Sequence, residues 1–228
     1  SRFVGVASRL ESKGIPFILG TPFDVNGEVI PPYPLSALPH AVSVIHKDGN
    51  VFGEDKITRR ALLSLYGKPV FHRELAQRLG YVTSHEIIRG QFSEPSVEAD
   101  YFFFRYHGPT MVGSPNNKDT RYSIYSWIDV AEGRVGAKEL QNKIVLVGTM
   151  SRDDSSDFTF TPYSKKLLLN PKLVVHANIL DSVMHNRGII RAPMFLNAIC
   201  TFLVTLFVIW SVFTYTPLYG VFNTLTLA

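Results

Sequence analysis

Cysteine is almost absent. Cys200 stands alone in a chain of 228 residues, which excludes an intrachain disulfide and any zinc site built on paired thiolates. Charge is sparse as well: 18% of residues are charged and 46% are hydrophobic, a balance that leans apolar for a wholly soluble protein. Dense basic runs are missing. The pairs Arg59-Arg60 and Lys165-Lys166 are the most that occur, within a net charge of +4. Nothing there tracks a phosphate backbone, so nucleic acid is not an expected partner.

Several catalytic signatures are also lacking. The stretch Asn142 to Pro162, NKIVLVGTMSRDDSSDFTFTP, runs an apolar segment into Gly148. A phosphate loop would need a second glycine followed by Lys and Ser or Thr, so that successive N–H groups cradle phosphate. TMSRDDSS follows instead, and the three-glycine dinucleotide fingerprint is missing too. No G-x-S-x-G elbow is present, and the seven histidines lie scattered along the chain rather than at ligand or triad spacing.

What the chain does have is a charge-free apolar tail. Met194 to Tyr215 contains no charged residue, and its length at helical rise suits a bilayer core of roughly 30 Å. Pro193 suits a first helical turn, and Trp210 and Tyr215 suit an interfacial belt. Residues 193–216 are therefore expected to form a transmembrane helix. Residues 217–228 read as the start of a second one. Arg187 and Arg191 precede the span, and by charge alone they would place the large domain in the cytoplasm.

Residues 1–192 alternate helix and strand signals. Phe3, Val6, Ala7 and Leu10 share one helical face, and Gly14 suits the helix end. IPFILGT reads as a short strand. Pro22, Pro31, Pro32, Pro34 and Pro39 mark residues 22–39 as loop. HAVSVIHKDGNVF reads as a strand, an Asp48-Gly49 turn and a second extended piece. HRELAQRLG reads as a helix ending at Gly80, ADYFFFRYHGP as an aromatic strand, and IYSWIDVAEG as a short helix stopped by Gly133. NKIVLVGT reads as a strand buried on both faces, as in a parallel sheet. KLVVHANILDSVMHNRG reads as a strand turning into a helix with Ile179, Leu180, Val183 and Met184 as its apolar stripe. The expected fold is α/β, with a mixed or mostly parallel sheet, helices on both faces and a C-terminal transmembrane helix.

Candidate site residues are few. Asp153, Asp154 and Asp157 offer hard oxygen ligands to calcium or magnesium, without the glycine and glutamate of an EF-hand loop. A solvated acidic loop is the plainer reading. His176 sits at the expected strand-to-helix junction, followed by Asn178 and Asp181. Asp181 and His185, four apart, make a simple helix pair. Arg105 closes the aromatic strand, where it could meet a ligand carboxylate or phosphate or pair with an acid at the core edge.

The order of these pieces resembles the second type of CHASE domain, the cyclase and histidine-kinase associated sensory extracellular domain. The resemblance rests on Arg105, Gly108 and Pro109; Asp129 and Gly133; Lys143 through Thr149; Asp157, Thr161 and Pro162; His176, Ala177, Asn178 and Asp181; and Arg187 and Arg191 before the apolar span. Upstream, EDKITRRALL is similar to the family's D-G-x-x-R-R-x-P-L segment without its glycine and proline. The likeness is good from Ile57 onward and looser before it.

The resemblance implies a non-catalytic sensory domain, residues 1–192 with its N-terminal part missing, on the outer side of a bacterial inner membrane. That placement overrides the charge-based orientation. It also implies a cytoplasmic nucleotide cyclase, diguanylate cyclase or protein kinase in the same receptor. Ligand candidates become Arg105, Asp157, Thr161, His176, Asn178 and Asp181. The expected partners are the membrane, a small-molecule or protein ligand and a second copy in a homodimer; no cofactor is specified. Two other functions fit the composition: a membrane-anchored metal-dependent hydrolase using the three aspartates and His176, and a dimerising assembly subunit.

Overall fold

The computed structural model describes residues 2–24, 26–46, 49–50, 53–108, 122–151, 153–163, 166, 168, 170–214 and 225–226. It falls into two compact units, Ser1–Ile189 and Ile190–Ala228.

The first unit opens with helix α1 (Arg2–Ser12), which buries Ala7. Gly14 follows at φ +74°, a left-handed conformation that suits glycine at a helix end. Strand β1 (Leu19–Thr21) pairs parallel with β4 (His40–Val42), and between them lies the two-stranded ribbon of β2 (Phe23–Asp24) and β3 (Gly27–Glu28). A second ribbon joins β5 (Gly49–Asn50) to β6 (Gly53–Glu54). The Asp48 half of the expected turn lies outside the described residues.

The main sheet has four strands in the order β8-β7-β10-β9, all antiparallel. They are β7 (Arg60–Leu65), β8 (Lys68–Pro69), β9 (Gln91–Glu94) and β10 (Ala99–Phe103). This differs from the expected mixed or mostly parallel sheet: among the described strands, parallel pairing is confined to β1 and β4, and this sheet is antiparallel, for a reason that lies in its connections. Tyr66 and Gly67, at φ 49° and 73°, turn β7 straight back into β8. Residues 95–98 do the same between β9 and β10. Links this short force antiparallel neighbours, since parallel ones need long crossovers.

Helix α2 (Phe71–Arg78) and helix α5 (Lys172–Met184) pack together on one face of this sheet. Ala61, Leu63 and Phe102 from the strands, with Phe104 just beyond β10, meet Leu75, Ala76, Val175, Ile179 and Val183 from the helices. The opposite face carries Leu62, Val70 and Ala99 against Val42 of β4 and Phe23 of β2. Among the described residues, helices cover one face, and strands and loops cover the other.

Two expectations change inside this unit. KLVVHANILDSVM is helix throughout, with no leading strand. Pro171 sets its first turn, and burial of Val174, Val175, Ile179, Leu180 and Val183 outweighs the weak strand preference of the valines. The run IVLVGT, expected as a strand buried on both faces, forms no strand and joins no ladder. Leu146 packs toward the core, whereas Val145 and Val147 are 54% and 74% exposed. A run becomes sheet only when a neighbour offers N–H and C=O groups in register, and none does so among the described residues.

The short helices α3 (Trp127–Ala131) and α4 (Ala137–Leu140) precede this run. Ser126 caps α3 by accepting from the Ile128 N–H at 3.3 Å, and Gly133 ends it at φ +72°. The second unit contains helix α6 (Met194–Thr214), long and apolar enough to cross a membrane. Apart from residues 225–226, the expected start of a second span lies outside the described residues.

Candidate functional site

The C-terminal half of α5 and the segment leaving β10 form one polar cluster. Helical spacing sets Asn178, Asp181, Ser182 and His185 within two turns. Ser182, fully buried, clamps the backbone of Arg105: its hydroxyl accepts from the Arg105 N–H at 3.2 Å and donates to the Arg105 carbonyl at 3.1 Å. One turn earlier, the Asn178 carbonyl oxygen accepts from the His107 N–H at 3.0 Å, and its amide donates to the Val174 carbonyl at 2.9 Å. Two side chains of one helix thus satisfy the backbone where β10 has run out of strand partners.

Replacing Asn178 with alanine would leave the His107 N–H without its acceptor. A loss of about 2 kcal/mol is expected, to be read as a lowered midpoint in urea unfolding.

Asp181 is the electrostatic centre of the cluster. One carboxylate oxygen meets His107 Nε2, and the other lies 3.2 Å from His185 Nδ1. The Arg187 guanidinium stands at 3.7 Å. Three donors from two segments converge on one half-buried carboxylate. His185 is therefore one member of this group rather than a simple surface partner.

A second polar group lies at the other end of α5. His176, in the second turn rather than at a strand junction, meets His72 of α2: His72 Nε2 and His176 Nδ1 are 2.8 Å apart, and one of them carries the shared proton. The rings are nearly parallel with centroids 5.0 Å apart, and Phe71 stands edge-on to both. Burial pushes the His176 imidazole down to about 4, with the Lys172 ammonium adding to the effect. Burial, and then His176, hold His72 well below its usual 6.5. Both rings are neutral at neutral pH, and together they bolt α2 to α5.

The other candidates lie elsewhere. Thr161 is buried and donates to the Asn170 side chain at 3.1 Å. Asp157 accepts from the Thr149 hydroxyl at 2.8 Å and from the Ser151 N–H at 3.0 Å, and so ties the loop after Gly148 together. Asp154 accepts from the Ser156 N–H at 2.8 Å. No hydrogen bond or ion pair joins Asp157 or Thr161 to the Asp181 cluster, and no group of three metal-ligating side chains forms among the described residues.

Of the six ligand candidates, the structure brings Arg105, Asn178 and Asp181 together, with the Arg105 side chain exposed. His72 and His107 are additions. Their sequence signal is faint: His72 opens a helix whose neighbours Leu75 and Ala76 are core, so it shares a buried face.

A third feature is an apolar cleft of about 480 Å³ between residues 122–150 and the first half of α5. Trp127, Val145, Val147, Leu173 and Ala177 line it.

No curated protein and no solved structure matches the chain. The CHASE2 domain family does, over residues 18–216. That range holds the four-stranded sheet, both histidine groups, the Asp181 cluster and α6. CHASE2 domains are extracytoplasmic sensory modules with no catalytic role of their own. Matched over most of its length, the chain belongs to the CHASE2 domain family.

Proposed function

We propose that this chain is the sensory part of a bacterial inner-membrane receptor. Its folded unit lies on the periplasmic or extracellular side, and two copies together regulate a cytoplasmic output, a nucleotide cyclase, diguanylate cyclase or protein kinase. The observation that carries this reading is the CHASE2 match running through a folded unit and into α6. Signal transfer needs two states whose balance a ligand shifts by differential affinity. The ligand is met by the cluster at the end of β10, with Arg105 exposed beside Asn178, Asp181, His107 and Arg187. An anionic or hydrogen-bonding group suits these donors. Because α5 leads through residues 185–193 into α6, a change in how Asp181 is paired is passed along the chain.

The test uses the full receptor in its membrane. Deleting residues 18–189 is expected to change basal output and abolish any response to stimulus. Asp181→Asn, which keeps the size but removes the charge, is expected to shift basal output at least about threefold while the domain stays folded by circular dichroism. Output that is the same with and without the domain, under every stimulus tried, would remove the basis for the reading.

A further inference from the structure

The junction of α2 and α5 is made by two titratable rings. His72 is 2% exposed, and His176 beside it is part-buried, which leaves protons a way in from solvent. The pair shares one proton across 2.8 Å, with Phe71 edge-on to both rings. Two apolar side chains would hold these helices together at every pH. A histidine pair holds them only while it stays uncharged.

The surroundings offer nothing to steady an added proton. Among the described residues, no carboxylate pairs with either ring. The charge that bears on His176 is Lys172, one turn earlier on α5, and it repels. On α2, Arg73 donates to the Ser84 and Glu86 carbonyls, and Glu74 pairs with Arg78. Of the strands packed on α2, β4 brings His40, bonded to the Leu38 carbonyl. Strand β7 brings Arg60, which meets His46, and β8 brings the exposed Lys68. The segment along Leu173 and Ala177 brings Lys143 and Glu139, and the latter accepts from the Tyr125 hydroxyl.

We infer that the His72–His176 pair is an acid-operated latch: uncharged, it joins α2 to α5, and when protons enter, the two helices part and the receptor's output changes. The inference rests on the sensory reading above and names protons as one stimulus. Helix α5 is continuous from His176 to Met184, so a shift at its latched end reaches the Asp181 cluster and the chain leading into α6. In the opened state His176 is hydrated and titrates near its ordinary value, whereas the closed state holds it at about 4. Relative to neutral pH, protons taken up by this ring alone favour opening about tenfold at about pH 5.5 and about fiftyfold at about pH 4.5. The window is that of mildly acidic surroundings on the outer side of the membrane.

The experiment uses the full receptor in right-side-out membrane vesicles buffered inside at neutral pH. Outer pH is stepped from about 7.5 to 5 and back while output is read. A reversible change of at least about threefold is expected. In the double variant His72→Leu, His176→Leu the ratio of outputs at the two pH values should fall to near one. Lys172→Gln, at a half-buried site in the first turn of α5, removes the repelling charge and should move the midpoint up by roughly half a pH unit. The whole chain in detergent gives a reading that does not depend on output. Ring nitrogen signals in NMR should show both imidazoles uncharged at about pH 6.5. Amide exchange of Phe71–Arg78, corrected for the intrinsic effect of pH, should quicken about tenfold on going to about pH 5, and not in the double variant. Rings already protonated at about pH 6.5 would overturn the latch, as would an equal pH response in the double variant. A flat wild-type output across the window would also overturn it. If deleting residues 18–189 still changes that output, the sensory reading stands without the latch; output unchanged by the deletion removes both.

Discussion

Lowering the pH from 6.5 to about 4 is expected to remove about 3 kcal/mol of folding stability through His176 alone. The folded protein holds this imidazole neutral, whereas the unfolded chain lets it take up a proton near its ordinary value. Between the two values the unfolded state binds more protons, so acid favours unfolding. The stabilisation is complete above 6.5, falls through the window and is gone below about 4. His72 acts in the same direction, since burial and the neighbouring His176 depress it as well. Protonating both rings also breaks the shared hydrogen bond, because two protonated imidazoles have only donors to offer.

Urea unfolding at about pH 7.5, 5.5 and 4.5 reads the effect directly. The double variant His72→Leu, His176→Leu removes both partners and should flatten the curve across that window without a large loss at neutral pH. Asp100 provides an internal marker. Partial burial raises its carboxyl, but hydrogen bonds from Ser64 and Ser93 and the charge of Arg73 outweigh this and hold it below its usual 3.8. Its contribution is therefore lost only below that value, outside the histidine window. A wild-type stability that does not change between about pH 7.5 and 4.5 would mean that the histidines are not held neutral in the fold.

The second large effect is expected at Gly188. This residue is buried just beyond α5, and a methyl group there would overlap the carbonyl oxygen of Arg89 and come within 3.2 Å of the Phe102 ring. The obstacle is backbone, and it is anchored: the Arg89 N–H donates to the Asn186 side chain, and the Ile189 N–H donates to the Phe103 carbonyl at 2.8 Å. Neither side can yield without breaking a pairing. Gly188→Ala is expected to cost about 4 kcal/mol. Gly136→Ala, at a site with open space and an ordinary backbone angle, should stay within about 0.5 kcal/mol. Thermal or urea midpoints of the two variants beside the parent chain decide it. A Gly188→Ala protein as stable as its parent would mean that α5 is not held this tightly where it leaves the sheet.

Local patterns in the sequence carry much of this fold. HRELAQRLG forms α2 because its apolar residues repeat at helical spacing and Gly80 can end it. ADYFF forms a strand with Phe102 on the face opposite Tyr101, and the uncharged tail forms one long helix. What could not be read locally depends on partners. LVVHANILDSVM has valines that suit a strand, and only its packing against α2 and the sheet makes the whole stretch helix. IVLVG has a strand's composition, but composition does not supply the neighbour that a ladder needs.

The site divides the same way. Asn178 and Asp181 are visible as polar residues among apolar ones on a helix. His72 lies 104 residues from His176, and His107 lies 74 from Asp181. No spacing rule spans such distances, so histidines that look scattered along the chain meet only once it folds.

The open edge at Ile144–Thr149 also has a practical consequence. A short apolar run with free backbone groups on view is what cross-β stacking needs to start. At high concentration, or in a chain still folding, the same residues offer themselves to any extended neighbour. Precipitation of the expressed domain is expected to begin at this edge. A lysine at Val147, which points into solvent, is the substitution that should keep the protein in solution while sparing the core.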